Sequence, residues 1–583
     1  MKLVLKNVAK KKSVLQVISS LDVDFNAPCG GNRKCGKCLI KVLTEIEEPS
    51  KDEIKVLGKN HEKGYRLACF IKPVENMEIE IPEKVSKEKV MISADTVIKN
   101  IDPELTVYSK NIEKAHLRNQ FSDIDSIKEP FNINNLELVK SVSQIIRETD
   151  YHPTVIKLNN EMVGISSQKY NDYYGIAIDI GTTTVASYLF NLKTGKRIDI
   201  VSGLNSQKKY GADVISRIEF ASSDEGLAEI QKSIISQINQ MIITLCTRNS
   251  IRADEIFYIT VAGNTTMIHL FMKISPVNIG KAPFIPVTTA LHRIKASEIG
   301  LKINENGYIA VLPSVASYIG SDITAGVLAT NMLHKNKISL LLDIGTNGEI
   351  VLGNKKKMIA CSTAAGPAFE GANIRFGTGG ISGAIDDFKI IGNEVVFTTI
   401  DSQPPIGICG SGIITIVSQL LEHDIIDETG RFYDEDELNA DEKLKERLVE
   451  FENMTAFHIT DGIYITQKDI REIQNAKASF AAGVITLINR YGITNDQIDY
   501  LYLAGGFGNY IDIQSAIKIG LFPKQLKKKV IPSGNTAGTG AILCLLSSDK
   551  MRKINKISKE IEYIELSSDP TFTDQYIECM MFE

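Results

Sequence analysis

Two stretches of this chain, YYGIAIDIGTTTVASYLF (173–190) and KISLLLDIGTNGEIVLG (337–353), share one pattern. An apolar run ends in Asp-Ile-Gly-Thr, turns sharply and resumes as a strand. Two copies far apart in one chain are the mark of a duplicated α/β domain. Amphipathic stretches of helical period lie between and after them, LAEIQKSIISQINQMIITLC (227–246) and NAKASFAAGVITLINRYG (475–492). A third glycine cluster, LAGGFGNY (503–510), follows.

These motifs have a chemical reading. A tight turn with Gly after Asp lets successive backbone N–H groups face a phosphate. Gly181, Thr182, Thr183 and Thr184 make one such turn, and Gly345, Thr346 and Asn347 the other. Asp179 and Asp343, at the strand ends, can hold hydrated magnesium between the turns. Gly505 and Gly506 let an adenine approach the backbone. One Asp-x-Gly-Thr turn alone can be hairpin chemistry, whereas three motifs in order at domain-scale spacing are specific for a nucleotide. No G-x4-G-K-[ST] occurs, so a P-loop is not the source of the signal.

The N-terminal part is of another kind. KLVLKNV and SVLQVI read as a hairpin, and CLIKVLTEI and MEIEIP alternate as half-buried strands do. Cys29, Cys35 and Cys38 are spaced C-x5-C-x2-C, and Cys69 follows in GYRLACF. Four thiolates suit zinc or an iron–sulfur cluster. Zinc sites pair two short knuckles, while a three-plus-one spacing is the ferredoxin arrangement for a 2Fe–2S cluster, here one residue longer in its first gap than the plant-type loop. A structural zinc site and a set of free thiols remain the alternatives. Cys246, Cys361, Cys409, Cys544 and Cys579 are scattered, and Cys246 and Cys544 lie in apolar runs that read as packing.

At 583 residues the chain exceeds one core. Its net charge of −5 gives no reason to expect nucleic acid. No run approaches the roughly 18 apolar residues of a membrane span, and the N-terminus lacks the apolar core of a signal peptide. The expectation is a cytoplasmic protein without a membrane partner. The expected division is a β-grasp ferredoxin domain over 1–85, a linker over 86–110, a middle domain over 111–170, an actin-like ATPase domain over 171–548 with lobes 171–335 and 336–548, and a C-terminal extension over 549–583 that docks or is partly mobile. The fold class is thus multidomain α+β and α/β.

The phosphate and adenosine motifs, in this order, resemble those of the acetate and sugar kinase, Hsp70 and actin superfamily, with its ribonuclease H-like ATPase fold. In that comparison ITVAGNTTMIHLF (259–271) and NTAGTGAILCLL (535–546) match the two connecting helices. Ferredoxin cysteines ahead of such a core, with YGADVISRI (210–218), LPSVASYIGSDITAGVLA (312–329), AAGPAFEGANI (364–374) and GICGSGII (407–414), resemble the reductive activators of corrinoid proteins over the whole chain. A related group from methylamine metabolism carries C-terminal cysteine-rich clusters. Here only Cys579 lies near that end, so the chain does not match that group.

The resemblance implies an ATPase that returns inactive Co(II) corrinoid to Co(I) in a methyltransferase or demethylase system. Its cofactors would be a 2Fe–2S cluster on Cys29, Cys35, Cys38 and Cys69, with ATP and Mg2+ on the two turns. Glu370 would bond the ribose, and Asp322 and Glu349 would orient the attacking water. Cys409 and Ser411 in CGSG read as a helix start with Ser411 as cap, the alternative being a transient cobalt ligand. Partners would be a corrinoid protein and an upstream low-potential electron donor, and a homodimer follows from the resemblance alone. Two other readings stay open: a small-molecule kinase with a redox-sensing ferredoxin domain, and a nucleotide-gated redox scaffold.

Overall fold

In the computed structural model each Asp-Ile-Gly-Thr stretch begins a six-stranded sheet, and the two sheets are built alike. The structure describes residues 2–5, 13–20, 38–44, 46–57, 61, 64–74, 76–81, 101–118, 120–130, 132–211, 213–345, 347–371, 373–434, 437, 442–505 and 511–582. Two compact units result, Met1–Lys89 and Val90–Glu583.

In the first lobe the strand Tyr174–Ile180 pairs antiparallel with Thr184–Asn191, which pairs antiparallel with Arg197–Leu204. On its other side Tyr174–Ile180 pairs parallel with Ile256–Gly263, and that strand pairs parallel with Tyr308–Val311. The second lobe repeats this order. Ser339–Ile344 pairs antiparallel with Gly348–Asn354, then Lys357–Thr363 follows, while Tyr500–Ala504 and Val530–Gly534 add in parallel on the other side. The central strands are near-continuous apolar runs because both faces are covered. The helix Asp224–Asn249 covers the first sheet, and the capping-box helix Gln467–Tyr491 covers the second.

A sheet strand lies where the linker was expected. Leu105–Ser109 pairs with Thr154–Leu158, which pairs with Glu161–Ser166. The helix Leu136–Glu148, capped by Asn135, lays Leu138, Val142 and Ile146 against that sheet. Just before it, Asp102 bonds Leu546 O through its N–H at 3.0 Å. Glu104 is buried, where it accepts from Tyr258 Oη at 2.8 Å and from Nε and Nη2 of Arg293 at 2.8 and 2.6 Å. The C-terminal segment is no mobile tail. Ser548–Glu560 is a helix, Ile561–Tyr563 joins the second sheet, and Phe582 is buried. The buried Lys477 ammonium donates to Met581 O, and Gln474 Nε2 donates to Met580 O at 2.8 Å.

In the N-terminal unit the strands stand in the order Lys2–Leu5, Met77–Glu80, Leu39–Val42, Arg66–Leu67, all antiparallel. The expected hairpin partner SVLQVI is instead the helix Val14–Ser20. Val14, Leu15, Val17 and Ile18 are all buried, a spacing that puts one helical face on the core; tertiary burial overrides the strand preference of valine and isoleucine. Glu53 is 2% exposed and accepts from Arg66 Nε, Arg66 Nη2 and Leu67 N at 2.9 Å each, which pins the strand two residues before Cys69.

Candidate nucleotide and cluster sites

The first turn is held from four directions. Gly181 N–H bonds Thr184 O at 2.9 Å, so Thr182 and Thr183 form the tip. A Cβ on Gly181 would stand 2.8 Å from Thr184 O, so no larger residue fits. Asn205 Nδ2 donates to Gly181 O at 2.8 Å and Arg217 Nη2 to Thr182 O at 2.7 Å. Asn264 Nδ2 donates to Thr182 Oγ1 at 3.0 Å, and Asn535 Nδ2 to Asp179 Oδ2 at 2.7 Å. Arg217, Asn264 and Asn535 lie inside the stretches 210–218, 259–271 and 535–546, yet no motif gives any of the four a role. Asn264 and Asn535 are helix caps, accepting from Met267 N and Gly538 N, and that helix-start signature is the trace by which they could have been found.

The second turn is closed by Gly345 N–H on Asn347 O at 3.1 Å. Thr346 and Gly506 lie outside the described residues. Gly505 has φ +89°, and a Cβ there would stand 2.5 Å from Ile344 O and 2.9 Å from Asp343 Oδ1. Its glycine character is therefore required by close approach to the Asp343 strand as well as by conformation.

Between the turns the structure gathers the predicted carboxylates. Asp322 opens the helix Ser321–Ala329, placed by Gly320, where a Cβ would stand 2.5 Å from Asn264 Cα, and by Ser321 Oγ, which bonds both the N–H and the carbonyl of Gly263. Burial raises the carboxyl of Asp179 to about 6. Burial, then the charge of Asp179, raises Asp343 to about 7. Burial and the charge of Asp343 raise Asp322 to about 8. Glu349 is pushed well above the usual carboxylate range by burial and by Asp322 and Asp343. No lysine or arginine among the described residues pairs with these four. Such a site favours a cation or a proton. Among the described residues no three His, Cys, Asp or Glu side chains stand as a chelating group.

Glu370 stands against the first turn. Its Oε2 accepts from Thr183 Oγ1 at 3.1 Å, and its Oε1 is 3.8 Å from where a Cβ on Gly345 would be. It lies between the two phosphate turns and bridges the lobes. Thr184 contributes its carbonyl to the first turn, and its side chain is exposed.

The two lobes meet at crossed helices, with one correction to the expected pair. Thr536–Leu546 is one of them, but its partner is Ser321–Ala329. A Cβ on Gly540 would stand 2.3 Å from Ala325 O, and one on Gly326 2.9 Å from Thr536 Oγ1. The stretch 259–271 is the parallel strand Ile256–Gly263 and the helix Thr265–Phe271 beneath the first turn. Small residues are shared by both candidate stretches, and only the tertiary contact separates them.

In the N-terminal unit Cys38 and Cys69 are both buried, with Sγ atoms 3.3 Å apart. Burial pushes the Cys38 thiol up to about 12. Two sulfurs held together from distant parts of the chain suit ligands of one centre. Cys29 and Cys35 lie outside the described residues.

Family models match all three regions: a 2Fe-2S iron-sulfur cluster binding domain over 3–74, the RACo middle region over 174–335, and the C-terminal domain of RACo, the ASKHA domain, over 337–583. The chain is 33% identical to the corrinoid activation enzyme RamQ of Eubacterium limosum, over 99% of this chain and 97% of that protein. The chain belongs to the family of reductive activators of corrinoid proteins. A solved structure of a reductive activator for corrinoid, iron-sulfur protein is 32% identical, covers 100% of this chain and 98% of its own, and superposes with a TM-score of 0.75. The [Co(II) methylated amine-specific corrinoid protein] reductase of Methanosarcina barkeri is 27% identical over 69% of this chain and 76% of its own.

Within this activator fold the CGSG loop is a helix start. Cys409 and Ser411 are 4% and 5% exposed and bond each other at 3.3 Å, and Cys409 Sγ bonds Ile385 O at 3.2 Å. Cys409, not Ser411, takes the capping position, without a side-chain cap bond. Cys246 and Cys544 are buried among apolar side chains, as packing residues are.

Proposed function

We propose that this chain uses ATP to drive one-electron reduction of a Co(II) corrinoid protein to Co(I). The observation that carries the reading is the facing pair of Asp-Gly-Thr turns with Asp179, Asp322, Asp343 and Glu349 between them, in a chain related end to end to corrinoid activators. ATP phosphates would lie on the two turns, with Mg2+ held through phosphate and water by Asp179 and Asp343. Asp322 and Glu349 would orient the attacking water. Gly505 and Gly506 would border the adenosine, and Glu370, beside Thr183, would act at the phosphate end. Cys29, Cys35, Cys38 and Cys69 would hold a 2Fe–2S cluster, which when bound supplies a one-electron carrier near about −400 mV. The domain boundaries given by the sequence belong to this proposal, with residues 105–109 moved into the middle domain. So do a low-potential donor, a homodimer and a cytoplasmic site of action.

Each roughly 59 mV of unfavourable potential lowers a one-electron equilibrium tenfold. The Co(II)/Co(I) couple is expected below the cluster, so the electron alone would leave most cobalt oxidised. Nucleotide can shift that balance only through states that bind the corrinoid partner differently. Two lobes crossing on glycine-packed helices, with a carboxylate bridging the turns, are suited to such a change.

An anaerobic absorbance assay tests this. The protein, Mg-ATP, a strong reductant and a Co(II) corrinoid protein are expected to give the Co(I) band, and to give far less without ATP. Absence of the band with corrinoid partners of every class would sink the reading. Steady phosphorylation of a metabolite would favour the kinase instead.

A further inference from the structure

Arg217 has no exposed surface and is the largest fully buried side chain among the described residues. It sits on the helix Val214–Phe220, behind the first phosphate turn. Its guanidinium donates from Nε to Gly211 O at 3.0 Å, from Nη1 to Met267 Sδ at 3.2 Å and from Nη2 to Thr182 O at 2.7 Å. All three acceptors are neutral. Among the described residues no carboxylate stands within ion-pair distance of it, and the acid whose charge it feels, Asp213, uses its Oδ1 to cap the helix through Ser216 N and Ser216 Oγ. Burial lowers its pKa to about 10, so it stays cationic at neutral pH. A buried cation with no counter-ion is costly unless something offsets it.

The peptide that Arg217 grips explains where that something would be. Peptide units are planar and trans, so the Thr183 N–H points opposite to the Thr182 carbonyl. A cation on the carbonyl polarises the same unit and strengthens its N–H as a donor on the far side. We propose that Arg217 is a positioning residue of the nucleotide site, fixing the Thr182–Thr183 peptide and placing a positive charge with no ion-pair partner behind it for the terminal phosphates. This rests on the nucleotide reading above. It extends that reading to a residue whose position, behind the turn, keeps it from touching the ligand.

The test is calorimetric binding of ATP, ADP and AMP with Mg2+ to the full chain. In Arg217→Met, ATP is expected to weaken about tenfold or more, ADP less, and AMP least. A merely structural role would weaken all three by one factor or leave them unchanged in a folded variant, and either result overturns the inference. Should Arg217→Met not fold, Arg217→Lys decides: it keeps the charge and loses the fork, and a smaller loss graded in the same order is expected, a uniform loss being the overturning result. A wild-type chain that binds no ATP overturns the nucleotide reading together with this one, whereas binding that Arg217→Met leaves intact overturns this one alone.

Discussion

The two Asp-Ile-Gly-Thr turns begin from the same four residues and are stabilised differently. The first is held by polar side chains from four other segments, Asn205, Arg217, Asn264 and Asn535, each on a named atom of the turn. The second is framed, among its described residues, by close backbone approach at Gly505 and by carboxylates that repel one another. A turn clamped by hydrogen bonds is pre-organised. A turn bordered by unpaired carboxylates gains most when a cation and phosphate arrive. The duplicated motif thus supplies one rigid half and one responsive half, bridged by Thr183 and Glu370.

The comparison breaks most sharply at the carboxylates and thiols. Asp179→Ala is expected to abolish ATP-dependent Co(I) formation while leaving the visible spectrum of the N-terminal cluster unchanged. Cys69→Ser is expected to abolish reduction and keep ATP binding. If either substitution removes both properties, the two sites are not separable in this way.

Next in size is Gly505→Ala. Positive φ and a contact of 2.5 Å to Ile344 O predict a loss of about 2 kcal/mol or more in stability. It should be read by denaturant unfolding, with weakened nucleotide binding; a variant as stable as wild type would show that the second turn tolerates displacement. Asn535→Ala removes both the Asp179 bond and the cap on Gly538, and about 1–2 kcal/mol is expected. Asn347→Ala on the second turn should cost less. Equal losses would erase the distinction between clamped and responsive turns.

A graded effect of pH should follow from the carboxylates gathered between the two turns. Asp179, Asp343 and Asp322 are raised to about 6, about 7 and about 8 from an ordinary 3.8. The folded chain therefore holds protons that the unfolded chain releases above about pH 4. Their contribution to stability is fully present below that pH and is lost as pH rises through the folded values. Scanning calorimetry of the ligand-free protein should show Tm falling between about pH 5 and pH 8, and Mg-ATP should flatten the slope because a bound cation replaces the protons. A Tm that rises over this window would refute the assignment.

Much of this was legible in the chain. The repeated strand–turn–strand foretold two matching sheets, because apolar runs that end in Asp-Gly report buried strands and sharp turns locally. The approach of Cys38 to Cys69 agrees with the thiol spacing. What escaped depended on distant contacts. SVLQVI has strand-forming residues and became a helix because Val14, Leu15, Val17 and Ile18 share a core face. The C-terminal segment has weak periodicity, and Lys477, Gln474 and the second sheet order it. Glu370 gave no sign of standing by Thr183, a residue 187 positions away.

Local chemistry by itself therefore determined which residues can turn tightly, bind phosphate or bind metal, since glycine conformation, strand periodicity and thiol spacing are properties of short segments. The tertiary structure alone decided which side chains stand behind those turns and what charges face one another across them. Asn535 reaches Asp179 from 356 positions away, and Arg217 reaches Thr182 from 35. No short-range pattern encodes such pairs, because burial of the two sheets and their crossing helices brings them together, and the same burial raises the carboxylates that make the site receptive.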